Sequence, residues 1–177
     1  MNPAAPELQS DRLHLSQLTE DDAGLMLAVW NDPSFIRHVV DRGIRSEEAA
    51  LEAMREGVLK LYSEHGYGPY GLSLKSDSSN IGICGLFKRD NLDHPDIGYA
   101  LLPAYRGQGY ALEAARAVVA HAGEVIKLQK LLAIVSPGHA RSITLLEKLG
   151  MARAGTVRMP GDDEDILLFE LDLATGR

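Results

Sequence analysis

The sequence has little that suits an exported, disulfide-bonded or membrane-spanning protein. Its 177 residues include one cysteine, Cys84, which excludes an intramolecular disulfide and, in the apolar segment IGICGLF, favours a small buried side chain over a reactive thiol. No apolar run approaches the ~20 residues that span a bilayer. The N-terminal residues MNPAAPELQSDR carry no basic segment followed by an apolar one, so no export signal is predicted. We expect a cytoplasmic protein without membrane contact.

Positive charge is also scarce. Lysine and arginine number 18 against 25 aspartates and glutamates, and the formal charge of −7 argues against broad contact with nucleic-acid phosphates. The segment DNLDHPD contains the potential metal ligands Asp93 and His94, but short spacing in a proline-containing loop favours a solvated turn. We therefore predict neither a nucleic-acid partner nor a metal site.

The chain does have ordinary globular composition and clear periodicity. Apolar residues make up 45% and charged residues 24%, and the length suits one domain, residues 1–177. Alternation predicts about seven strands: RLHLSQL, YGLSL, IGICGLF, DIGYALL, KLLAIV, residues 152–158 and EDILLFELDL. Helical periodicity and capping residues predict about four helices, over residues 19–30, 46–64, 110–127 and 140–150. Because hairpin strands precede a strand–helix–strand–helix unit, we expect an α+β fold with a mixed, mostly antiparallel sheet.

A literal G-x-G-x-x-G occurs in GYGPYG, Gly66 to Gly71. A dinucleotide-binding turn follows a strand and opens a helix, whereas a predicted helix precedes this segment, a strand follows it, and Pro69 removes a backbone donor. We interpret the segment as a flexible loop, and NAD binding stays a third hypothesis for the chain.

The segment YRGQGYA has the opposite surroundings, with a strand before it and a long helix after it. Gly107 and Gly109 allow a tight turn in which successive N–H groups converge on an anion at the positive end of the helix. Loop composition alone leaves this interpretation and a plain glycine turn about equally open.

A resemblance to a known family favours the interpretation of this segment as an anion-binding loop. The pattern Arg106-x-x-Gly109-x-Ala111 resembles the R/Q-x-x-G-x-G/A acetyl-CoA motif of the GNAT acetyltransferase superfamily. DIGYALLPAYRGQGYALEA and HARSITLLEKLGM resemble the RimJ/RimL branch, which acetylates protein N-termini and other amines. The order of elements agrees from Leu13 to Leu173, so the resemblance implies a GNAT-like single domain with two splayed parallel central strands.

The resemblance also implies a site. Acetyl-CoA would lie between the splayed strands, with pantetheine on strand backbone and the diphosphate on the glycine loop. The implied cofactor-binding residues are Tyr99, Ala100, Leu101, Arg106, Gly107, Gln108, Gly109, Tyr110, Ala111, His139 and Ser142.

Acetyl transfer to an amine needs a neutral nucleophile, a stabilised oxyanion and a departing thiolate. By resemblance, the backbone N–H of Leu101 serves the oxyanion and Asp96 deprotonates the amine directly or through water. Asp96 is alternatively an exposed carboxylate at a strand start, or a contact for the substrate ammonium. Ser142 donates a hydrogen bond to the sulfur, or only caps its helix.

Two positions depart from the family pattern: Leu146 replaces the usual tyrosine acid, and His139 replaces an asparagine. The leading hypothesis is an N-acetyltransferase that acts in a ternary complex on a peptide N-terminus or a small-molecule amine, as a monomer or homodimer. The alternative is a non-catalytic acyl-CoA-binding module. Acidic residues that would favour a cationic acceptor are Glu47, Glu48, Glu52, Asp93 and Asp96.

Overall fold

A computed structural model describes residues 6–174 of the chain. The strands are β1 Leu8–Gln9, β2 Leu13–Gln17, β3 Pro69–Leu74, β4 Asn80–Phe87, β5 Asp96–Leu101, β6 Lys130–Val135, β7 Ala152–Arg158 and β8 Asp165–Asp172. The α-helices are α1 Ala23–Trp30, α2 Pro33–His38, α3 Glu47–Glu56, α4 Val58–His65, α5 Tyr110–Glu124 and α6 Ala140–Lys148, and short 3-10 helices cover Glu20–Asp22 and Pro103–Tyr105. None of the helices within the described range is long and apolar enough to cross a membrane.

The strands form one sheet in the order β1-β2-β3-β4-β5-β6-β8-β7. Every neighbouring pair is antiparallel except β5 and β6, which are parallel and joined through the crossover helix α5. The predicted mixed sheet is therefore confirmed. The additional strand β1 escaped prediction because its two residues are too short to show a period, and it pairs with β2 through Leu8 and Leu15.

The N-terminal helices differ from the prediction in two places. The segment Asn31-Asp32-Pro33 does end α1, but Asp32 then caps another helix, α2, by accepting hydrogen bonds from the backbone N–H groups of Ser34 and Phe35. The helix predicted over residues 46–64 is two helices, because Gly57 leaves helical geometry at φ −118° and ψ −96° between α3 and α4. A glycine adopts such a break at little steric cost.

The interior has two apolar layers, one on each face of the sheet. Helices α5 and α6 cover the face that carries Ile97 and Leu101, and helices α1, α3 and α4 cover the face that carries Ile83 and Ala100. Side chains of successive strand residues alternate between the two layers, so β5 contributes to both. The two strands β5 and β6 separate after one pair of residues. Side chains from either layer can therefore reach the space between them.

The segment GYGPYG joins α4 to β3. Gly66 ends α4 in the left-handed region at φ 75°, and β3 begins at Pro69. Because a helix precedes and a strand follows, the geometry of a dinucleotide-binding turn is absent, as predicted. The predicted loop is therefore present between α4 and β3, and Tyr67 within it is buried in the core.

Candidate active site

The central feature of the candidate site is a gap between β5 and β6. The two strands pair only at Asp96 and Leu132, where the Leu132 N–H donates to the Pro95 carbonyl over 2.9 Å. The Leu102 N–H donates to the Ile81 carbonyl of the β4 side at 2.8 Å. Hydrogen bonding alternates along an antiparallel pair, so the N–H groups of Tyr99 and Leu101 point the other way, into the gap. The gap therefore offers backbone donors to a ligand.

The glycine loop lies where β5 leads into α5. Gly107 and Gly109 adopt the left-handed region at φ 75° and 84°, and Gly109 is the N-cap of α5 without a capping side chain. A Cβ built on Gly107 meets nothing within 4 Å. The first N–H groups of a helix of 15 residues are thus left without a side-chain cap beside open space, which is the arrangement that binds anions.

Arg12 holds this loop in place. Its Nη1 donates to the Gln108 carbonyl at 3.1 Å, its Nε to Glu113 Oε2 at 2.8 Å, and its guanidinium stacks 4.3 Å from the Tyr110 ring centre. Burial raises the pKa of Glu113, but hydrogen bonds from Ser10 and Arg12 outweigh it and hold that pKa below its ordinary value. Sequence reasoning missed Arg12, because no local pattern links a residue before β2 to the start of α5.

Arg106 forms an ion pair with the buried Asp32, the N-cap of α2. This pair fastens α2 to the loop and borders a cavity of about 370 Å³ whose lining also includes Arg37 and His38. The structure therefore places Arg106 beside the predicted diphosphate loop, with its charge already partnered by a carboxylate.

His139 stands immediately before α6 and stacks on His38 of α2, with ring centres 4.2 Å apart. Burial lowers the pKa of His139, and the neighbouring His38, Arg106 and Arg141 lower it further. The residue that replaces the family asparagine thus connects the start of α6 to α2.

Ser142 lies in the first turn of α6, and its Oγ is 2.7 Å from the hydroxyl of Tyr99. Burial raises the pKa of Tyr99 to about 12. One turn further on, Leu146 is fully buried, so no hydroxyl acid occupies that position. The structure brings the predicted residues Tyr99 and Ser142 together, and Leu101 lies two residues along the same strand.

Asp96 lies at the closed end of the gap and is buried at 1% exposure. The expected alternative of an exposed strand-start carboxylate is therefore wrong. Arg89 Nε lies 3.0 and 3.2 Å from the two carboxylate oxygens. Burial nevertheless raises the pKa of Asp96 above its ordinary value, against the opposing effect of Arg89. Sequence reasoning did not identify Arg89. The available signal was its position in the turn between β4 and β5, which places a basic side chain near the start of β5, where Asp96 lies.

No group of three or more histidine, cysteine, aspartate or glutamate side chains within residues 6–174 is arranged to hold a metal ion. The acidic residues of the α3 start, Glu47 and Glu48, are exposed, as are Glu52 and Asp93. Asp96, which was grouped with them by sequence, does not share their exposure.

Comparison with known proteins gives acetyltransferases by family model, by sequence and by structure. The family model described as "Acetyltransferase (GNAT) domain" matches residues 12–152. The uncharacterised N-acetyltransferase YoaA of Bacillus subtilis is 27% identical over 154 residues, which cover 86% of each chain. The solved structure of RimL, a ribosomal L7/L12 alpha-N-protein acetyltransferase in complex with coenzyme A, superposes with a TM-score of 0.81 at 15% identity, covering 96% of this chain and 99% of RimL.

A second solved structure, a chimera of the spermidine N-acetyltransferase SpeG from Vibrio cholerae and hSSAT, has a TM-score of 0.74 at 15% identity. It covers 92% of this chain and 96% of its own. At these identities the two structures establish a shared fold.

Proposed function

Because the chain belongs to the GNAT acetyltransferase family and is an acetyl-CoA-dependent acyltransferase, we propose that it acetylates a primary amine by direct attack within a ternary complex. The observation that carries the proposal is the gap between β5 and β6, which opens beside the glycine loop. One ligand that carries a diphosphate at the loop and an extended arm along the edge of β5 would use both features.

The backbone N–H donors of the site match two parts of coenzyme A, the diphosphate and the pantetheine arm. The left-handed glycines and the uncapped start of α5 offer N–H groups to the diphosphate, together with the backbone of Gln108, Tyr110 and Ala111. The N–H groups of Tyr99 and Leu101 face the gap and offer a strand edge to the amides of pantetheine. Arg106 and His139 would contribute from the α2 side, once their contacts with Asp32 and His38 rearrange.

The geometry bears on which N–H serves the oxyanion. Five residues of extended strand separate Asp96 from Leu101 by about 16 Å, too far for one acetyl group to contact both. The Tyr99 N–H is about 10 Å from Asp96 by the same rise and lies on the residue that contacts Ser142. We therefore favour the Tyr99 N–H as the oxyanion donor and the Leu101 N–H as a pantetheine contact, with Asp96 acting through bridging water.

Asp96 suits the role of general base because its pKa is raised by burial toward the working pH. It must be ionised to accept a proton, and Arg89 stabilises that ionised form. The remaining proton transfer, to the departing sulfur, has no tyrosine at Leu146 to supply it. A thiolate with a pKa near ~8.5 leaves without obligatory protonation, so this absence is compatible with turnover.

The acceptor is proposed only as a class, a peptide N-terminus or a small-molecule amine. RimL is named for a ribosomal protein and SpeG for spermidine, and both share this fold. The exposed acids of α3 favour a cationic acceptor by their charge.

A panel of amines separates these possibilities. Purified protein is incubated with acetyl-CoA and N-terminal peptides, polyamines or amino acids, and free thiol is measured. We expect thiol release that depends on one amine class. Tight binding of acetyl-CoA with no release across the panel would instead support the non-catalytic binding module.

A further inference from the structure

The hydroxyl of Tyr99 connects β5, one wall of the gap, to helix α6. It lies 2.7 Å from Ser142 Oγ and 3.3 Å from the Ser142 carbonyl oxygen, so it connects β5 to the first turn of α6. Within residues 6–174 the Ser142 hydroxyl has no other hydrogen-bond partner. Serine hydroxyls near a helix start ordinarily bond to backbone groups of their own helix, and this one instead contacts the side chain of a partly buried tyrosine.

We propose that Tyr99 is a positioning residue, whose hydroxyl donates to Ser142 Oγ and thereby directs the Ser142 proton toward the sulfur of the bound thioester. The inference rests on the proposed acetyl transfer and assigns to Tyr99 a role separate from its backbone N–H. A serine hydroxyl has one proton and two lone pairs. When Tyr99 fills a lone pair, the serine proton stays available for a third group.

The contact distances favour this direction of donation. The single proton of the Tyr99 hydroxyl has two acceptors, Ser142 Oγ at 2.7 Å and the Ser142 carbonyl at 3.3 Å, and the shorter contact makes the stronger hydrogen bond. Burial raises the pKa of Tyr99 to about 12, so the phenol keeps this proton throughout the pH range in which the thiol ionises. Two hydroxyls in series also polarise each other, which strengthens the terminal hydrogen bond as negative charge develops on its acceptor.

The step balances without a further reagent. The amine nitrogen bonds to the acetyl carbon, the carbon–sulfur bond breaks, and its electron pair stays on sulfur as a thiolate. The amine proton passes to Asp96 or to water. Ser142 donates a hydrogen bond to the thiolate without losing its proton, and the thiolate is later protonated by solvent.

Kinetics of Tyr99→Phe, Ser142→Ala and the double variant test the proposal with one confirmed amine. Each single variant should lower kcat about tenfold with little change in the KM for acetyl-CoA, from the loss of one hydrogen bond to developing charge. The double variant should be no slower than Ser142→Ala, because Tyr99 acts only through Ser142. Multiplying losses, or unchanged kcat in Tyr99→Phe, would overturn the inference.

Tyr70→Phe is the matched control. Tyr70 is a buried tyrosine of the same apolar layer whose hydroxyl has no hydrogen-bond partner within the described residues. It should retain wild-type kcat. If Tyr70→Phe slows turnover as much as Tyr99→Phe does, the effect belongs to packing and contradicts a role for the Tyr99 hydroxyl.

A binding measurement needs no acceptor and keeps the inference testable if no amine reacts. The affinity for coenzyme A relative to desulfo-coenzyme A is measured between about pH 7 and pH 10, where the thiol ionises. In the wild type this ratio should rise with pH, since the hydroxyl pair stabilises the thiolate, and the rise should shrink in both single variants. A ratio with the same pH dependence in wild type and Tyr99→Phe would refute the inference, whereas absence of turnover alone would refute the proposed function.

Discussion

Replacement of Gly107 by glutamate tests the diphosphate loop, and Gly66→Glu supplies its control. Both glycines are exposed, both have φ 75°, and a Cβ on either meets nothing within 4 Å. A left-handed non-glycine residue costs about 1–2 kcal/mol, so each variant should lose about 2–8 °C in Tm. The two substitutions therefore share their backbone cost and their change in charge, and differ in that Gly66 lies at the negative end of α4 and Gly107 near the positive end of α5.

Only the Gly107 substitution should affect cofactor affinity. A carboxylate about 6 Å from a diphosphate charge, at an effective dielectric of ~20, costs about 3 kcal/mol, or about a hundredfold in Kd. Salt and exposure of the loop reduce this to an expected loss of at least about thirtyfold. Titration calorimetry with acetyl-CoA measures it. Equal affinities of Gly107→Glu and Gly66→Glu would show that the loop does not hold the diphosphate.

Three further predictions concern ionisable groups. Asp96→Asn should lower kcat/KM by about a hundredfold and abolish the fall in rate as pH drops through the raised pKa of Asp96. A higher KM at unchanged kcat would instead show that Asp96 contacts the substrate ammonium. The folded pKa of Glu113 is lowered, so its stabilisation is complete above its unfolded pKa of about 4.3 and is lost as pH falls through the folded value. Glu113→Gln should therefore cost about 1 kcal/mol at pH 7 by thermal melts and progressively less as pH falls below about 4, and a cost that does not shrink with falling pH would contradict the linkage. Because the pKa of His139 is lowered in the folded state, the protein loses stability as pH falls below about 6.5, the unfolded value. His139→Asn should therefore show a smaller fall in Tm between about pH 7 and pH 5 than the wild type. An identical fall in the two proteins would exclude this contribution.

Local patterns predicted most of the fold because periodicity and capping act over a few residues. The strand–loop–helix segment from Asp96 into α5 was identified by its order, and the structure has that order. The break at Gly57 was missed because one glycine in a helical pattern is often tolerated, and propensity does not decide between a weakened helix and two helices.

The candidate site was only partly predictable, because several of its contacts join distant parts of the chain. Ser142 and Tyr99 were each identified by motif, yet their hydrogen bond spans 43 positions of sequence. The Arg106 pair with Asp32 spans 74 positions and depends on the fold bringing α2 to the loop. The burial of Asp96 likewise depends on the layers that cover β5, which a strand-start position does not reveal.

Mass spectrometry of the acceptor tests the central claim most directly. Wild-type protein, acetyl-CoA and the amine that gives the most thiol release are incubated together, and the amine product is mapped. The account predicts one acetyl group on the primary nitrogen, formed in proportion to free coenzyme A and strongly reduced with Gly107→Glu. Thiol release without an acetylated amine, or equal product with Gly107→Glu under subsaturating acetyl-CoA, would contradict it.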